Sequence, residues 1–160
     1  NYGIYANLSY KGFSANILFQ GATSRDMYIE DVVRGQSTGG YTMVYPYQLD
    51  YWMPDNTDAK FPRIAMNSSV NGNNNYVTSD FWLVNGRYIR LKSLQLGYDF
   101  RSVLLKNIKW LYKCQVVLSG QNLFTISPAT KYGFDPENGS TNNYDYPMQR
   151  VYAISLNLGF

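Results

Sequence analysis

The segment whose reading decides the fold is Val151–Phe160, VYAISLNLGF. Tyr152, Ile154, Leu156, Leu158 and Phe160 fall on one side of a period-2 pattern, and Val151, Ala153, Ser155, Asn157 and Gly159 on the other. Successive side chains of a strand point to opposite faces, so this pattern predicts a strand that is apolar on one face and small or polar on the other. A tilted membrane-crossing strand needs about 9–11 residues, which this segment supplies.

The same alternation recurs upstream. YGIYANLSY sets Tyr2, Ile4, Ala6, Leu8 and Tyr10 on one face. FSANILFQ sets Phe13, Ala15, Ile17 and Phe19 against Ser14, Asn16, Leu18 and Gln20. Lys11 and Gly12 between them predict a hairpin turn. In RYIRLKSLQLGYDF, Leu94, Leu96, Tyr98 and Phe100 oppose Gln95, Gly97 and Asp99, but the upper half is mixed, with Tyr88, Arg90 and Lys92 in phase with the apolar residues. Further on, Trp110, Tyr112, Cys114, Val116 and Leu118 alternate with Lys109, Leu111, Lys113, Gln115, Val117 and Ser119. Strands are expected near 2–10, 13–20, 87–100, 109–120 and 151–160.

The connections alternate in length: a two-residue turn, about 60 residues, about eight, about 29. No long periodic helix interrupts them, and SSVNGNNN is a loop by composition. Loops beyond about 15 residues are uncommon in compact soluble domains, whereas membrane barrels join strands by short periplasmic turns and long extracellular loops. The non-apolar strand face is nearly uncharged (Ser14, Asn16, Gln20, Gln95, Ser155, Asn157), unlike a face open to water. Aromatics near the strand ends, such as Tyr98, Phe100, Trp110, Tyr112, Tyr152 and Phe160, fit interfacial girdles. An open sheet edge is forbidden in lipid, so the strands must belong to a closed barrel. Five is odd and below the smallest barrels of about eight strands. The expected fold is therefore all-β: the C-terminal sector of a large transmembrane antiparallel β-barrel, with about five membrane strands. Its long loops, near 21–80 and 121–149, are expected to be extracellular, and Phe160 to lie at the periplasmic rim.

Composition agrees and excludes alternatives. Sixteen Tyr, eight Phe and three Trp accompany only 16% charged residues, against about a quarter in ordinary globular chains. The net charge of +3 is scattered apart from Arg87, Arg90 and Lys92, which argues against nucleic acid as a partner. With no His and one Cys, Cys114, the chain has no intrachain disulfide, no His-based catalytic triad and few routes to a zinc site.

Four phrases, in this order, resemble the C-terminal region of the SusC/RagA family of TonB-dependent outer-membrane transporters of Bacteroidetes. They are YWMPDNTDAKFPRIA (Tyr51–Ala65), SDFWLVNGRYIRLKSLQLGYDF (Ser79–Phe100), LSGQNLFTISPATKYGFDPE (Leu118–Glu137) and YPMQRVYAISLNLGF (Tyr146–Phe160). The resemblance implies a plugged barrel in a Gram-negative outer membrane. It also implies energy-dependent import of oligosaccharides, or in some branches peptides. The implied partners are a SusD-like surface lipoprotein as lid, the TonB–ExbB–ExbD complex acting through an N-terminal region outside this sequence, the remaining N-terminal part of the transporter, and outer-membrane lipid. No catalytic residue is implied.

Tyr51, Trp52, Pro54, Asp55, Asn56, Asp58 and Arg63 form the densest polar–aromatic cluster. Rings stack on sugar faces and carboxylates or amides bind hydroxyls, so the cluster is the candidate contact with ligand or lid. Equally, Asp58 and Arg63 can pair with each other and stiffen the loop. Tyr152, Ile154, Leu156, Leu158 and Phe160 are the candidates for barrel closure and for the assembly signal, because an alternating strand finishing on an aromatic resembles the usual ending of outer-membrane barrels. GQNLF (Gly120–Phe124) reads as a strand leaving the membrane, bent at Gly120, with Asn122 capping the turn and Phe124 beneath the loop. No cofactor is expected, apart from weak carboxylate and amide donors for calcium at Asp135, Glu137, Asn138 and Asp145; an Asp-Pro turn is the simpler reading. Asp26, Glu30 and Asp31 are carboxylates whose separation nothing in the sequence sets.

Overall fold

The computed structural model describes residues 1–30, 44–65, 69–139, 141, 146 and 148–160. Among these, seven strands form: β1 (Tyr2–Tyr10), β2 (Phe13–Ala22), β3 (Asp26–Tyr28), β4 (Leu83–Asn85), β5 (Tyr88–Asp99), β6 (Lys113–Ile126) and β7 (Val151–Gly159). One four-residue helix, α1 (Phe100–Val103), and several 3-10 turns join them. The chain divides into two compact units, Asn1–Thr23 with Tyr88–Ile126 and Met148–Phe160, and Ser24–Arg87 with Ser127–Pro147.

The first unit is one antiparallel sheet of order β1-β2-β5-β6-β7. Register places the apolar residues of all five strands in rows on one face. Leu8, Ala15, Leu96, Leu118 and Ile154 make one row, and Tyr10, Phe13, Tyr98, Val116 and Leu156 another. The opposite face carries the row Asn7, Asn16, Gln95, Ser119 and Ala153. There Asn16 Nδ2 donates to Gln95 Oε1 at 3.5 Å and Tyr5 OH to Asn16 Oδ1 at 3.4 Å. Among the described residues nothing covers the apolar face: Ile4, Leu8, Phe13, Leu96, Leu118, Ile154 and Leu156 are all exposed.

The first hairpin turns through Lys11 (φ 44°) and Gly12 (φ 86°), two left-handed residues that match strand twist across a two-residue loop. Gly12 is also needed for space, since a Cβ there would lie 2.7 Å from Val103 Cγ2. At the same sheet end, Asp99 caps α1 by accepting from Arg101 N (2.9 Å) and Ser102 N (3.4 Å). Arg101 donates in turn to the carbonyls of Leu111 (2.6 Å) and Leu105 (2.9 Å), so one guanidinium holds the β5–β6 connection. Both short connections leave this end of the sheet, and both long ones leave the other.

Two strands differ from expectation. In β5 the register with β2 shifts between Leu18 and Phe19, and that with β6 between Leu91 and Ser93. Lys92 is the inserted residue of a bulge, which reverses the faces of everything before it. Leu91 then pairs with Phe19 and Phe124 in the apolar rows, and Arg90 moves to the polar face beside Gln20 and Thr125. Arg90 is only 2% exposed and its Nε donates to Thr125 Oγ1 at 2.7 Å, so it is not in phase with the apolar residues as the sequence pattern suggested.

The fourth expected strand, 109–120, is displaced to Lys113–Ile126. Its extension passes through Asn122, whose left-handed φ of 52° forms the β6 side of the bulge and whose Nδ2 donates to Gln149 O at 3.0 Å. GQNLF is therefore interior to a strand, and Phe124 packs edge-on with Phe19 at 6.2 Å. Trp110 lies before β6 and stacks on Phe160 with centroids 5.6 Å apart.

The second unit is not featureless loop. β3 and β4 pair antiparallel, and Met27, Ile29, Phe61, Trp82, Val84, Ala129 and Phe134 form its core. Trp82 is 1% exposed and Ala129 fully buried; each large apolar side chain so buried stabilises by about 1.5–3 kcal/mol. Thr141 Oγ1 accepts from Glu30 N at 3.1 Å and donates to Tyr28 O, tying the second long connection to the first.

Candidate functional site

The 50–63 segment is built around Asp50, which the sequence reading did not single out. Its carboxylate accepts from Asn56 Nδ2 (3.4 Å) and Lys60 N (3.3 Å), and its carbonyl from Phe61 N (3.0 Å). Met53-Pro54-Asp55-Asn56 closes as a turn, with Asn56 N donating to Met53 O at 2.9 Å and Pro54 in the position its fixed φ suits. Tyr51 bridges Phe61, and Trp52 N donates to Phe61 O at 2.9 Å. The loop is a pair of short extended arms clamped at its base.

This geometry divides the expected cluster. Asn56 holds the turn, its amide also donating to Tyr51 O at 3.2 Å. Tyr51 serves the backbone bridge. Asp55 and Asp58 are exposed, and among the described residues Asp58 and Arg63 do not form the ion pair that was one expectation. Trp52 and Arg63 instead line an open cleft of about 780 Å³ with Asn71, Asn74, Asn75 and Phe81. Phe81 is held edge-on to Trp82 at 4.9 Å and to Phe61 at 6.3 Å. Opposite the arms, Asn71 (φ 57°), Gly72 (φ 62°) and Asn73 (φ 64°) turn the chain left-handed, a conformation that Asn and Gly tolerate. Asn71 Nδ2 donates to Asn75 Oδ1 at 3.3 Å.

Next to the cleft an aromatic cage forms. Tyr47 meets Phe61 and Tyr132 edge-on at 5.4 and 5.3 Å. Lys60 Nζ donates to Tyr132 OH at 2.7 Å and stands over the Tyr132 and Phe61 rings at 5.0 and 5.5 Å. Burial first, then the neighbouring Tyr45 and Tyr132, push the Tyr47 phenol well above its ordinary pKa, so it stays neutral. Lys60 and Phe81 contribute to the site without having been anticipated. The FW pair and the Asn-rich run were visible signals, but their approach to Trp52 comes from packing.

At Asp135 the simple turn is observed: Oδ1 accepts from Glu137 N at 2.9 Å and the carbonyl from Asn138 N at 3.1 Å. Among the described residues no group of three His, Cys, Asp or Glu is placed to hold a metal ion. Asp145 and Asp31 lie outside the described residues. The closing-strand candidates Tyr152, Ile154, Leu156 and Leu158 occupy the apolar face of β7, which is a sheet edge, and Phe160 is 72% exposed.

No family model matches the chain. Among curated proteins it is similar to two from Formosa agariphila, TonB-dependent receptor P3 and TonB-dependent receptor P39. Each is 27% identical over 172 aligned positions that cover 99% of this chain. The chain spans 16% of the length of either relative. Among solved structures it resembles the RagAB peptide importer in an open-open state, with a TM-score of 0.71 and 25% identity over 99% of this chain and 17% of the solved one. The closed-closed state of the same importer matches with a TM-score of 0.64 and 24% identity over 95% of this chain and 16% of that one.

These matches correct the expected substrate. Oligosaccharides were the leading expectation, yet the solved structures that this chain resembles are of a peptide importer. The error has a physical source, because exposed rings and asparagine amides suit peptide groups as well as sugars. The relatives are transport proteins and not enzymes. By sequence and by fold, the chain is homologous to a segment of the TonB-dependent outer-membrane transporters of the SusC/RagA family.

Proposed function

We propose that this chain is the C-terminal sector of the β-barrel of a TonB-coupled outer-membrane transporter, and that the transporter imports peptides. The observation that carries the reading is the likeness to a peptide importer over 99% of the chain at a TM-score of 0.71. The sheet supports it, since one face is apolar and exposed across five strands and the other carries the polar row Asn7, Asn16, Gln95 and Ser119. In a barrel the first face meets lipid and the second the interior. The edges β1 and β7 then pair with the rest of the barrel, because unpaired backbone is untenable in hydrocarbon.

In this reading the two long connections are extracellular, β7 closes the barrel, and Phe160 stands at the periplasmic rim. Asp55 and Asp58 face a surface lipoprotein of the SusD type, while Trp52 and Arg63 face ligand. TonB, ExbB and ExbD act through a part of the transporter outside this chain. The test is deletion of the whole transporter in its native host, with uptake of a labelled peptide mixture compared before and after complementation. Peptide uptake should fall on deletion and on collapse of the inner-membrane proton gradient, and return with the gene. Uptake that survives either treatment would sink the proposal.

A further inference from the structure

We propose that the cleft between Trp52, Arg63, Phe81 and the asparagines 71, 74 and 75 is a subsite for the free C-terminal end of a peptide. The inference rests on the peptide-import reading and names the part of the substrate that the cleft takes. Charge complementarity points to the occupant. Among the described residues two cations line the cleft, and of these Lys60 is engaged by Tyr132. Arg63 is exposed and has no partner among the described residues. Among the described residues, no Asp or Glu lines the cleft. An unpaired guanidinium facing a concave, acid-free space matches a carboxylate, which it can bind through two parallel hydrogen bonds.

The rest of the lining supplies what a peptide terminus carries beside its carboxylate. Side-chain amides offer donors and acceptors together, the pairing that a peptide group needs. Asn74 is exposed at the cleft and its amide is unpartnered among the described residues, while Asn71 and Asn75 are held by their mutual bond. Trp52 and Phe81 are 39% and 53% exposed and offer ring surface to an apolar terminal side chain. The volume, about 780 Å³, lies within the range of ligand pockets, about 300–1,000 Å³. The left-handed run from Asn71 to Asn73 keeps the asparagines at the rim, backbone strain of the kind that ligand clamps retain. A flat docking patch for the lipoprotein would need neither the concavity nor the amides.

The experiment uses the full-length transporter purified with its partner lipoprotein. The probes are one defined peptide ending in Leu, with a free carboxylate or as the C-terminal amide, and binding is measured for wild type, Arg63→Gln and Arg63→Lys. The wild type should bind the free acid about tenfold more tightly than the amide, as for loss of one charge-assisted bond. Arg63→Gln should erase that preference, and Arg63→Lys should keep part of it. Equal binding of acid and amide by the wild type, or an unchanged preference in Arg63→Gln, overturns the subsite while leaving peptide import standing. Loss of lipoprotein association in Arg63→Gln with peptide binding intact assigns the cleft to lid docking and overturns it as well. If the transporter binds no peptide at all, the import reading and the subsite both fall. Should Arg63→Gln not assemble, Arg63→Lys decides: a preference undiminished from wild type counts against the guanidinium's role.

Discussion

At the scale of single residues, the second unit is organised by groups whose polar atoms have defined partners. Asp50 is the clearest. Asp50→Ala removes both carboxylate acceptors from Asn56 and Lys60, each net hydrogen bond being worth about 0.5–1.5 kcal/mol. The arms around Met53–Asn56 should then fray, seen as faster protease cleavage within 50–61 of the intact transporter. Tyr47 gives a pH dependence with a definite sign. Its folded-state pKa is raised, mainly by burial, so the folded unit keeps a proton that the unfolded chain releases above about pH 10. The contribution is full below that pH and is lost as pH rises toward the folded value. Cleavage by an alkali-tolerant protease should therefore stay level up to about pH 10 and rise above it, and rise less in Tyr47→Phe. Trp52 and Arg63 were legible as candidate site residues because aromatic and charged groups are dense in that phrase. Asn74 and Phe81 were not, because their nearness to Trp52 is created by folding and leaves no trace in local spacing.

At the scale of elements, alternation was enough to read three of the five sheet strands, and its failures in the other two, β5 and β6, meet at one bulge. The phase of β5 breaks at Lys92: Ile89 and Leu91 are one residue out of step with Leu94 and Leu96. A phase break of this kind is what an inserted residue leaves behind. It was read as a mixed basic strand top. The upper part of β6 was hidden for the same reason, since Gly120 and Asn122 look like an exit from the sheet when no partner strand is known. A Cβ at 120 would sit 2.6 Å from Leu123 Cδ2, so the glycine makes room for the bulge and does not end the strand. Asn122→Val should lower the folded fraction, because a β-branched residue at φ 52° is strongly disfavoured. Asn122→Gly should be tolerated, trading the Gln149 bond for an unstrained backbone. Heat-modifiable mobility of the full-length barrel distinguishes the two; equal losses in both variants would remove the role given to the left-handed conformation.

At the scale of the whole molecule, each sheet face must meet a medium that suits it. A soluble sheet with this register would bury the row Leu8, Ala15, Leu96, Leu118 and Ile154, and here the described residues leave it exposed. If that face meets hydrocarbon, a lysine in its central row must carry a charge into lipid, at a cost of about 2–4 kcal/mol near the midplane of a barrel. Ser119 lies on the neighbouring position of β6, one residue along and on the opposite face, beside Gln95. Leu118→Lys and Ser119→Lys thus place the same charge about 3.4 Å apart along one strand but on opposite sides of the sheet. In the full-length transporter, Leu118→Lys should reduce the folded, membrane-extracted fraction several-fold. Ser119→Lys should assemble at close to the wild-type level, its ammonium held among amides and hydroxyls. Both variants bring the same residue into the same strand, so the contrast reads the face on which the charge is placed. Similar assembly of both variants would show that the apolar face is covered by protein and not by lipid, and the barrel assignment would lose its physical basis.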